Sequence, residues 1–256
     1  MISLPAGSFN VIPRLFVTGE LTGGASIGCR TAQAHYLRHV LRLDTGAAIR
    51  LFNGRDGEWR AALVPEGRKG CSLAVQEQLR PQTPPPDLHY LFAPLKKARL
   101  DYMAQKATEM GAGVLQPVLT RFTMVTRLKR ERLRANTVEA AEQCGLLTVP
   151  KVKDPLPLER LLDEWPSGRA LVFCDESAAS CSPVENLLPL AGRPLAVLIG
   201  PEGGFAAEER QRLLALPFVT PISLGPRIMR ADTAAVAALA LVQATIGDWK
   251  PEGNPG

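Results

Sequence analysis

Apolar residues recur in two different rhythms on either side of a proline cluster. Before it, Ala48 to Phe52, Trp59 to Val64 and Cys71 to Val75 are short strand-like runs. Turn residues separate them at Asn53-Gly54, Asp56-Gly57 and Gly67 to Gly70, a spacing that predicts a small β-barrel. One helix interrupts it: Thr31 stands where an N-cap is expected, and Ala34, Leu37, Val40 and Leu41 follow at helical intervals, with Arg38 and Arg42 on the other face. The cluster Pro81-Gln-Thr-Pro-Pro-Pro86 fixes φ repeatedly and removes backbone donors, so it fits neither a helix nor a central strand. It predicts a barrel domain over 1–80, a linker over 81–86 and a second domain over 87–250. In that second part, apolar runs at Tyr90 to Phe92, Val114 to Leu119, Ala170 to Phe173, Ala196 to Ile199 and Val219 to Leu224 alternate with helical stretches. Those stretches are Leu100 to Met110, Lys129 to Cys144, Glu208 to Leu216 and Asp232 to Ile246. The order predicts an α/β domain with a mostly parallel sheet covered on both faces.

Two of those strands end in glycine-bearing turns that run into helices, Leu198-Ile-Gly-Pro-Glu-Gly-Gly-Phe205 and Leu224-Gly-Pro-Arg-Ile-Met-Arg-Ala-Asp-Thr-Ala234. Glycine removes the Cβ and permits positive φ, so such strand ends can set bare peptide groups against a flat ligand such as adenine. Ligands of parallel sheets bind outside the carboxyl ends of the strands, where both turns fall. The candidate pocket residues are Leu198, Ile199, Gly200, Glu202, Gly203 and Gly204 from the first turn, and Leu224, Gly225, Ile228 and Met229 from the second. Neither G-x-G-x-x-G nor G-x-x-x-x-G-K-[ST] occurs, which argues against a dinucleotide fold and a P-loop.

Composition adds little. At 256 residues the chain has room for one or two domains, and a formal net charge of +5 suits an anionic partner without requiring one. Five cysteines form an odd set with no C-x-x-C pair, and the first residues lack the basic-then-apolar plan of a signal peptide; free thiols in a reducing cytoplasm are expected. The longest apolar run, Ala234 to Val242, is far too short to span a bilayer. His35, His39 and His89 lack a third ligand nearby, so no metal is expected. No serine stands in a G-x-S-x-G elbow, and hydrolase chemistry has no support.

Besides the two glycine turns, Gln105-Lys-Ala-Thr-Glu-Met-Gly111, Pro117 with Thr120-Arg121, and Glu139-Ala-Ala-Glu-Gln-Cys-Gly145 occur in order. With these five segments the chain resembles the SPOUT-class RNA methyltransferases, and within them the bacterial small-subunit ribosomal RNA uridine-N3 methyltransferases, over nearly its whole length. The resemblance implies a PUA-like N-terminal β-barrel and a C-terminal α/β domain with a deep trefoil knot. It also implies S-adenosylmethionine bound at the knot, a homodimer, and methylation of a uridine N3 in small-subunit (16S) ribosomal RNA or the small subunit itself. Four positions depart from the family pattern: Ala206 stands for a serine or threonine, Leu146 for an arginine, and Ala231-Asp232 for Thr-Glu.

Methyl transfer to uracil N3 needs in-line positioning, loss of the N3 proton and stabilisation of charge spreading onto the carbonyl oxygens. Arg230 suits the last role as a permanent cation, and the resemblance implies that it lies beside the methyl donor; residues alone leave pairing with Asp232 or Glu202 equally open. Glu202 is the carboxylate nearest the pocket in sequence, and the general base is unassigned. Lys96, Arg99 and Arg121, with Arg38 and Arg42 of the barrel, are the candidate RNA contacts, since Lys96 and Arg121 follow predicted strands on the side of the ligand turns. The helix Asp232 to Ile246 is apolar on every face, which calls for cover by a second copy or by the chain itself. Another RNA position, 2′-OH groups included, and a non-catalytic RNA-binding assembly role are both open on these residues.

Overall fold

The computed structural model describes residues 12–67, 70–125, 127–178 and 182–249. Cys181, the middle of the Gly67 to Gly70 turn, residues 1–11 of the expected barrel domain and residue 250 of the second domain lie outside them. The chain divides into two compact units, Met1–Pro84 with Gly145–Thr148, and Pro85–Cys144 with Val149–Gly256.

The first unit is a five-stranded sheet of β1 (Arg14–Phe16), β2 (Ser26–Gly28), β3 (Ala48–Phe52), β4 (Glu58–Glu66) and β5 (Gly70–Arg80), in the order β1-β3-β4-β5-β2. All its pairs are antiparallel except β1 with β3. The β4–β5 register shifts on either side of Trp59, the kind of irregularity that increases twist and curls a sheet. Alternate residues Ile49 and Leu51, Ala61 and Leu63, and Leu73 and Val75 point into one core, which Leu37 closes from the helix. β1 and β2 escape a reading of alternation because each has three residues.

Helix α1 (Thr31–His35) corrects one expectation. Arg30, extended at φ −64° and ψ 154°, is the N-cap, and Thr31 is already helical. The Gln33 side chain reaches back to accept the Arg30 N–H at 3.1 Å, so the free donor is satisfied from inside the helix. The helix then widens to a π-turn over Tyr36–Val40 and ends at Arg42, the one non-glycine with positive φ (53°) among the described residues.

A charged cluster lies at one side of this unit. Glu58, 1% exposed, pairs with Arg14 and accepts two bonds from Arg80, from Nε at 3.0 Å and Nη2 at 3.1 Å. Burial opposes its ionisation, yet the two guanidinium hydrogen bonds outweigh that and lower its pKa. Arg14 also covers the Phe52 ring at 4.1 Å and donates to the Leu146 carbonyl at 2.6 Å, while Arg80 donates to that of Gly145 at 2.9 Å.

The second unit contains β6 (Leu88–Phe92), α2 (Lys97–Glu109), β7 (Val114–Leu119), α3 (Arg130–Cys144), β8 (Lys151–Val152), β9 (Leu156–Pro157), α4 (Leu158–Asp163), β10 (Ala170–Cys174), α5 (Pro183–Leu187), β11 (Leu195–Ile199), α6 (Ala207–Ala215), β12 (Val219–Ile222) and α7 (Ala231–Ile246). Every strand pair is parallel, in the order β12-β10-β11-β6-β7-β8, with β9 paired to β7. Period-two alternation sends Tyr90, Phe92, Val172, Val197 and Ile199 to a face shared with α2 and α7, and Leu91, Leu171, Phe173, Ala196 and Leu198 to a face shared with α4 and α6. The sheet is thus covered on both sides, as an all-parallel sheet requires.

Helix α7 behaves differently from its sequence. Ala231, Ala235, Ala238, Leu239 and Val242 are buried, and the helix packs against α2, α5 and β11. Val236, Ala237, Ala240 and Leu241 are only half-buried, and Thr233 and Ala244 are exposed. Within the chain, one face is covered fully. No helix among the described residues is long and apolar enough to cross a membrane.

Candidate active site

Parallel strands place their carboxyl ends along one edge, and the order β12-β10-β11 puts three strand ends side by side there. A cleft of about 300 Å3 lies between the loops that follow them. Its walls are Cys174 to Ala178 after β10, Ile199 to Glu202 with Gly204 and Phe205 after β11, and Ser223 to Met229 after β12; α7 adds Ala231 and Ala234. Its size is at the lower end for small-molecule sites.

Glycine has a distinct task at each turn. Gly204 has φ +69° and donates its N–H to the Pro201 carbonyl at 2.9 Å, closing the first turn tightly. Gly225 has φ +102°, a conformation that side chains other than hydrogen resist. At Gly200 a Cβ would stand 2.5 Å from the Phe205 ring, which packs edge-on against Phe173 with centroids 5.1 Å apart. The missing side chain at 200 therefore makes room for Phe205, and Gly200→Val would disturb packing as well as the cleft.

Of the ten candidate pocket residues, Ile199, Gly200, Glu202, Gly204, Leu224, Gly225, Ile228 and Met229 line the cleft. Leu198 does not, because alternation along β11 turns it into the core, fully buried. Gly203 does not either; it faces Phe122, whose Cβ lies 3.4 Å from the position of a Cβ at 203. Arg230 is the exposed N-cap of α7, flanked by the lining residues Met229 and Ala231, and its side chain has no ionic or hydrogen-bonding partner among the described residues. Asp232 accepts the neighbouring Thr233 N–H instead, and Glu202 pairs with Arg99 at 3.2 Å.

The whole β10 wall was missed from sequence, although its apolar run was recognised. It carries two adjacent carboxylates with different fates. Asp175, 5% exposed, accepts from Arg210 of α6 at 2.9 Å and from the Ser177 N–H at 3.0 Å, which ties the β10 loop to the helix that follows the first glycine turn. Glu176 is exposed, has no charged partner among the described residues, and reaches to 3.0 Å from where a Gly204 Cβ would stand. With Asp175 neutralised by Arg210 and Glu202 by Arg99, the unpaired charges of the described lining are Glu176 and Arg227. Burial pushes the Cys174 thiol up to about 12, so it stays protonated at neutral pH and is no nucleophile.

The candidate RNA contacts fall in both units. In the first, Arg38 already donates to the carbonyls of Gly70 at 2.8 Å and Gly67 at 3.2 Å, while Arg42 is exposed. In the second, Lys96 is the exposed N-cap of α2 after β6, and Arg121 follows β7 at the same carboxyl edge as the cleft. The Arg121 main chain donates to Glu209 Oε1 at 2.8 Å. Glu209 Oε2 accepts the Ala206 N–H at 3.0 Å, so the acid three residues into α6 satisfies that donor at a position with no side-chain cap. The His35 and His39 rings are 5.2 Å apart, and among the described residues no three His, Cys, Asp or Glu side chains gather as a metal site.

A ligand cleft at the carboxyl edge of a parallel sheet, in a chain that also carries a separate curled β-unit, matches a known class: residues 82–243 fit the model of the RNA methyltransferase domain and residues 30–76 that of the RNA methyltransferase PUA domain. The chain belongs to this RNA methyltransferase family. It is similar to Ribosomal RNA small subunit methyltransferase E of Synechocystis sp., with 31% identity over 96% of this chain and 84% of that protein. The protein of the same name from Rickettsia conorii is 29% identical over 90% of this chain and 94% of its own. A crystal structure of Ribosomal RNA small subunit methyltransferase E from Neisseria gonorrhoeae bound to S-adenosyl methionine has a TM-score of 0.82 at 26% identity, over 93% of this chain and all of that one.

Proposed function

We propose that this protein methylates N3 of a uridine in small-subunit (16S) ribosomal RNA, with S-adenosylmethionine as donor, as a cytoplasmic homodimer whose glycine turns lie at a trefoil knot. The observation that carries the reading is the three-walled cleft itself, in a chain similar over 93% of its length to a methyltransferase structure bound to S-adenosyl methionine. The residues fit that group: peptide edges at Ile199, Gly200, Leu224 and Gly225 suit a nucleobase, Ile228 and Met229 supply apolar cover, and Glu176 is a carboxylate without a charged partner among the described residues, suited to a cationic ligand. When bound, the donor supplies an electrophilic methyl on a positively charged sulfur.

The chain's residues do the rest. Arg230, a permanent cation at the head of α7, stabilises the negative charge that grows on the uracil carbonyls as N3 gives up its proton. Glu202 lines the cleft and is held by Arg99; that salt bridge favours a positioning role over proton acceptance. Lys96 and Arg121 hold phosphates beside the cleft, and Arg42 does so on the barrel, while Arg38 and Arg99 add charge from engaged side chains. The half-buried face of α7 takes the second copy.

Mapping of modified nucleosides in ribosomal RNA by mass spectrometry, from cells with and without the protein, tests the reading. Loss of one N3-methyluridine from small-subunit RNA is expected. Loss of a modification elsewhere, or of none, would overturn the uridine assignment. Calorimetric titration with S-adenosylmethionine separates an enzyme from a non-catalytic RNA-binding protein of the same fold.

A further inference from the structure

Next to the cleft, the turn after β7 shows an aromatic ring to solvent on an unusually firm mount. Thr123 donates its N–H to the Thr120 carbonyl at 3.1 Å, the Thr120 N–H donates to Thr123 Oγ1 at 2.8 Å, and the two hydroxyls lie 3.0 Å apart. Inside this turn, the Arg121 N–H is held by Glu209 Oε1 at 2.8 Å. Both residues displayed by it, Arg121 and Phe122, point away from the core, and Phe122 is 47% exposed. Its Cβ and ring edge lie 3.4 Å and 4.0 Å from the position of a Cβ at Gly203, in the first glycine turn. Phe122 has no polar atom and gains nothing from water, while the fixed turn means that little conformational freedom remains to be lost on contact.

An exposed ring on a hydrogen-bonded turn that also carries a cation, at the rim of a methyltransferase cleft, has the form of a stacking platform. We propose that Phe122 stacks on a nucleobase of the RNA substrate while Arg121 holds an adjacent phosphate, so that this turn holds the strand across the cleft. Recognition of unpaired RNA relies on this combination of an aromatic face and a nearby cation. The occupant is a single-stranded segment, because a base within a helix keeps both faces stacked. Arg121 favours RNA over a second copy of the chain, since it adds a positive charge to the same exposed turn and its side chain has no partner among the described residues. The inference rests on the proposed RNA methyltransferase reading and adds a contact to it.

Two variants of the full chain test it, Phe122→Leu and Phe122→Trp, with a uridine-rich single-stranded oligoribonucleotide as probe. Phe122→Leu is expected to weaken oligonucleotide binding about 10-fold, the order of one lost stacking contact, with S-adenosylmethionine affinity and light-scattering mass unchanged. Phe122→Trp should keep parental RNA affinity, and the emission it adds to that of Trp59, Trp165 and Trp249 in the parent should be quenched by the oligonucleotide but not by polyphosphate of equal charge. Parental RNA affinity in Phe122→Leu, or tryptophan emission indifferent to RNA, would overturn the proposal. A fall in S-adenosylmethionine affinity equal to that for RNA would instead make Phe122 a prop for Gly203. A fall in mass to that of one chain would make it a subunit contact. If the parent protein bound neither probe, the underlying reading would fail rather than this inference.

Discussion

Two charged clusters, one in each unit, handle their charges in opposite ways. In the β-unit, guanidinium groups turn inward: Arg14 and Arg80 converge on buried Glu58 and on the carbonyls of Gly145 and Leu146, and Arg38 holds Gly67 and Gly70. Along the carboxyl edge of the parallel sheet, the charged side chains of Glu176, Arg227 and Arg230 have no partner among the described residues. A buried pair stabilises only while both members are present, whereas an unpaired exposed charge adds little to stability and is available to a ligand. The contrast belongs to these two clusters and not to every charge of each unit, since Arg210 of the second unit is paired with Asp175 and Arg42 of the first is exposed; within them, pairing separates charges held by the fold from charges open to a ligand.

The strongest way to break the contrast is Glu58→Ala. It would leave Arg14, whose side chain is 9% exposed, without its carboxylate, and a cost of about 3–5 kcal/mol is expected. Urea titration checks this; a loss below about 1 kcal/mol, the size of an exposed pair, would make Glu58 no different from a surface residue.

Next in size is Arg230→Ala, which should lower single-turnover methylation by about 10²–10³ while S-adenosylmethionine affinity hardly moves, as for a charge felt in the transition state. A parallel loss in affinity and rate would place Arg230 with the binding residues.

The neighbours Asp175 and Glu176 sharpen the comparison within a single loop. Asp175→Asn weakens a charge-assisted contact with Arg210 and should cost about 1–2 kcal/mol in urea. Glu176→Gln should leave stability within about 0.5 kcal/mol and instead weaken S-adenosylmethionine binding by roughly 10–100-fold, the range of one hydrogen bond to a charged group. Reversed outcomes would exchange their roles.

A further effect concerns pH. Burial, and then the Arg169 cation, hold the His89 pKa down to about 4 from an ordinary 6.5, against the pull of Asp87. Between those values the unfolded chain binds a proton that the folded chain refuses, so stability falls as pH drops from about 6.5 toward 4. His89→Gln should flatten this part of a Tm-against-pH curve and leave acid unfolding by carboxylates in place below it. An unchanged slope would show that other groups set it.

Much of this was legible in the sequence, for a physical reason in each case. Ala48 to Phe52 and Val114 to Leu119 were read to the residue, because a buried strand between turn residues leaves few alternatives. The order of strands and helices in the second unit followed from local patterning, and the glycine turns announced a site because positive φ at Gly204 and Gly225 is a backbone demand that only one residue type meets easily. Strands of two or three residues were invisible, since so short a run has no period.

What the sequence could not supply was adjacency. Strand pairing inserts β10 between β11 and β12, which makes the β10 loop a wall of the cleft and brings Asp175 onto Arg210, 35 residues away. Alternation on β11 removes Leu198 from the cleft, and packing brings Phe122 to Gly203. Local chemistry determines which segments become strands, turns and helices; which charges end up paired depends on hydrogen-bonded strand order and side-chain packing, interactions between residues far apart in the chain that only the folded structure brings within reach.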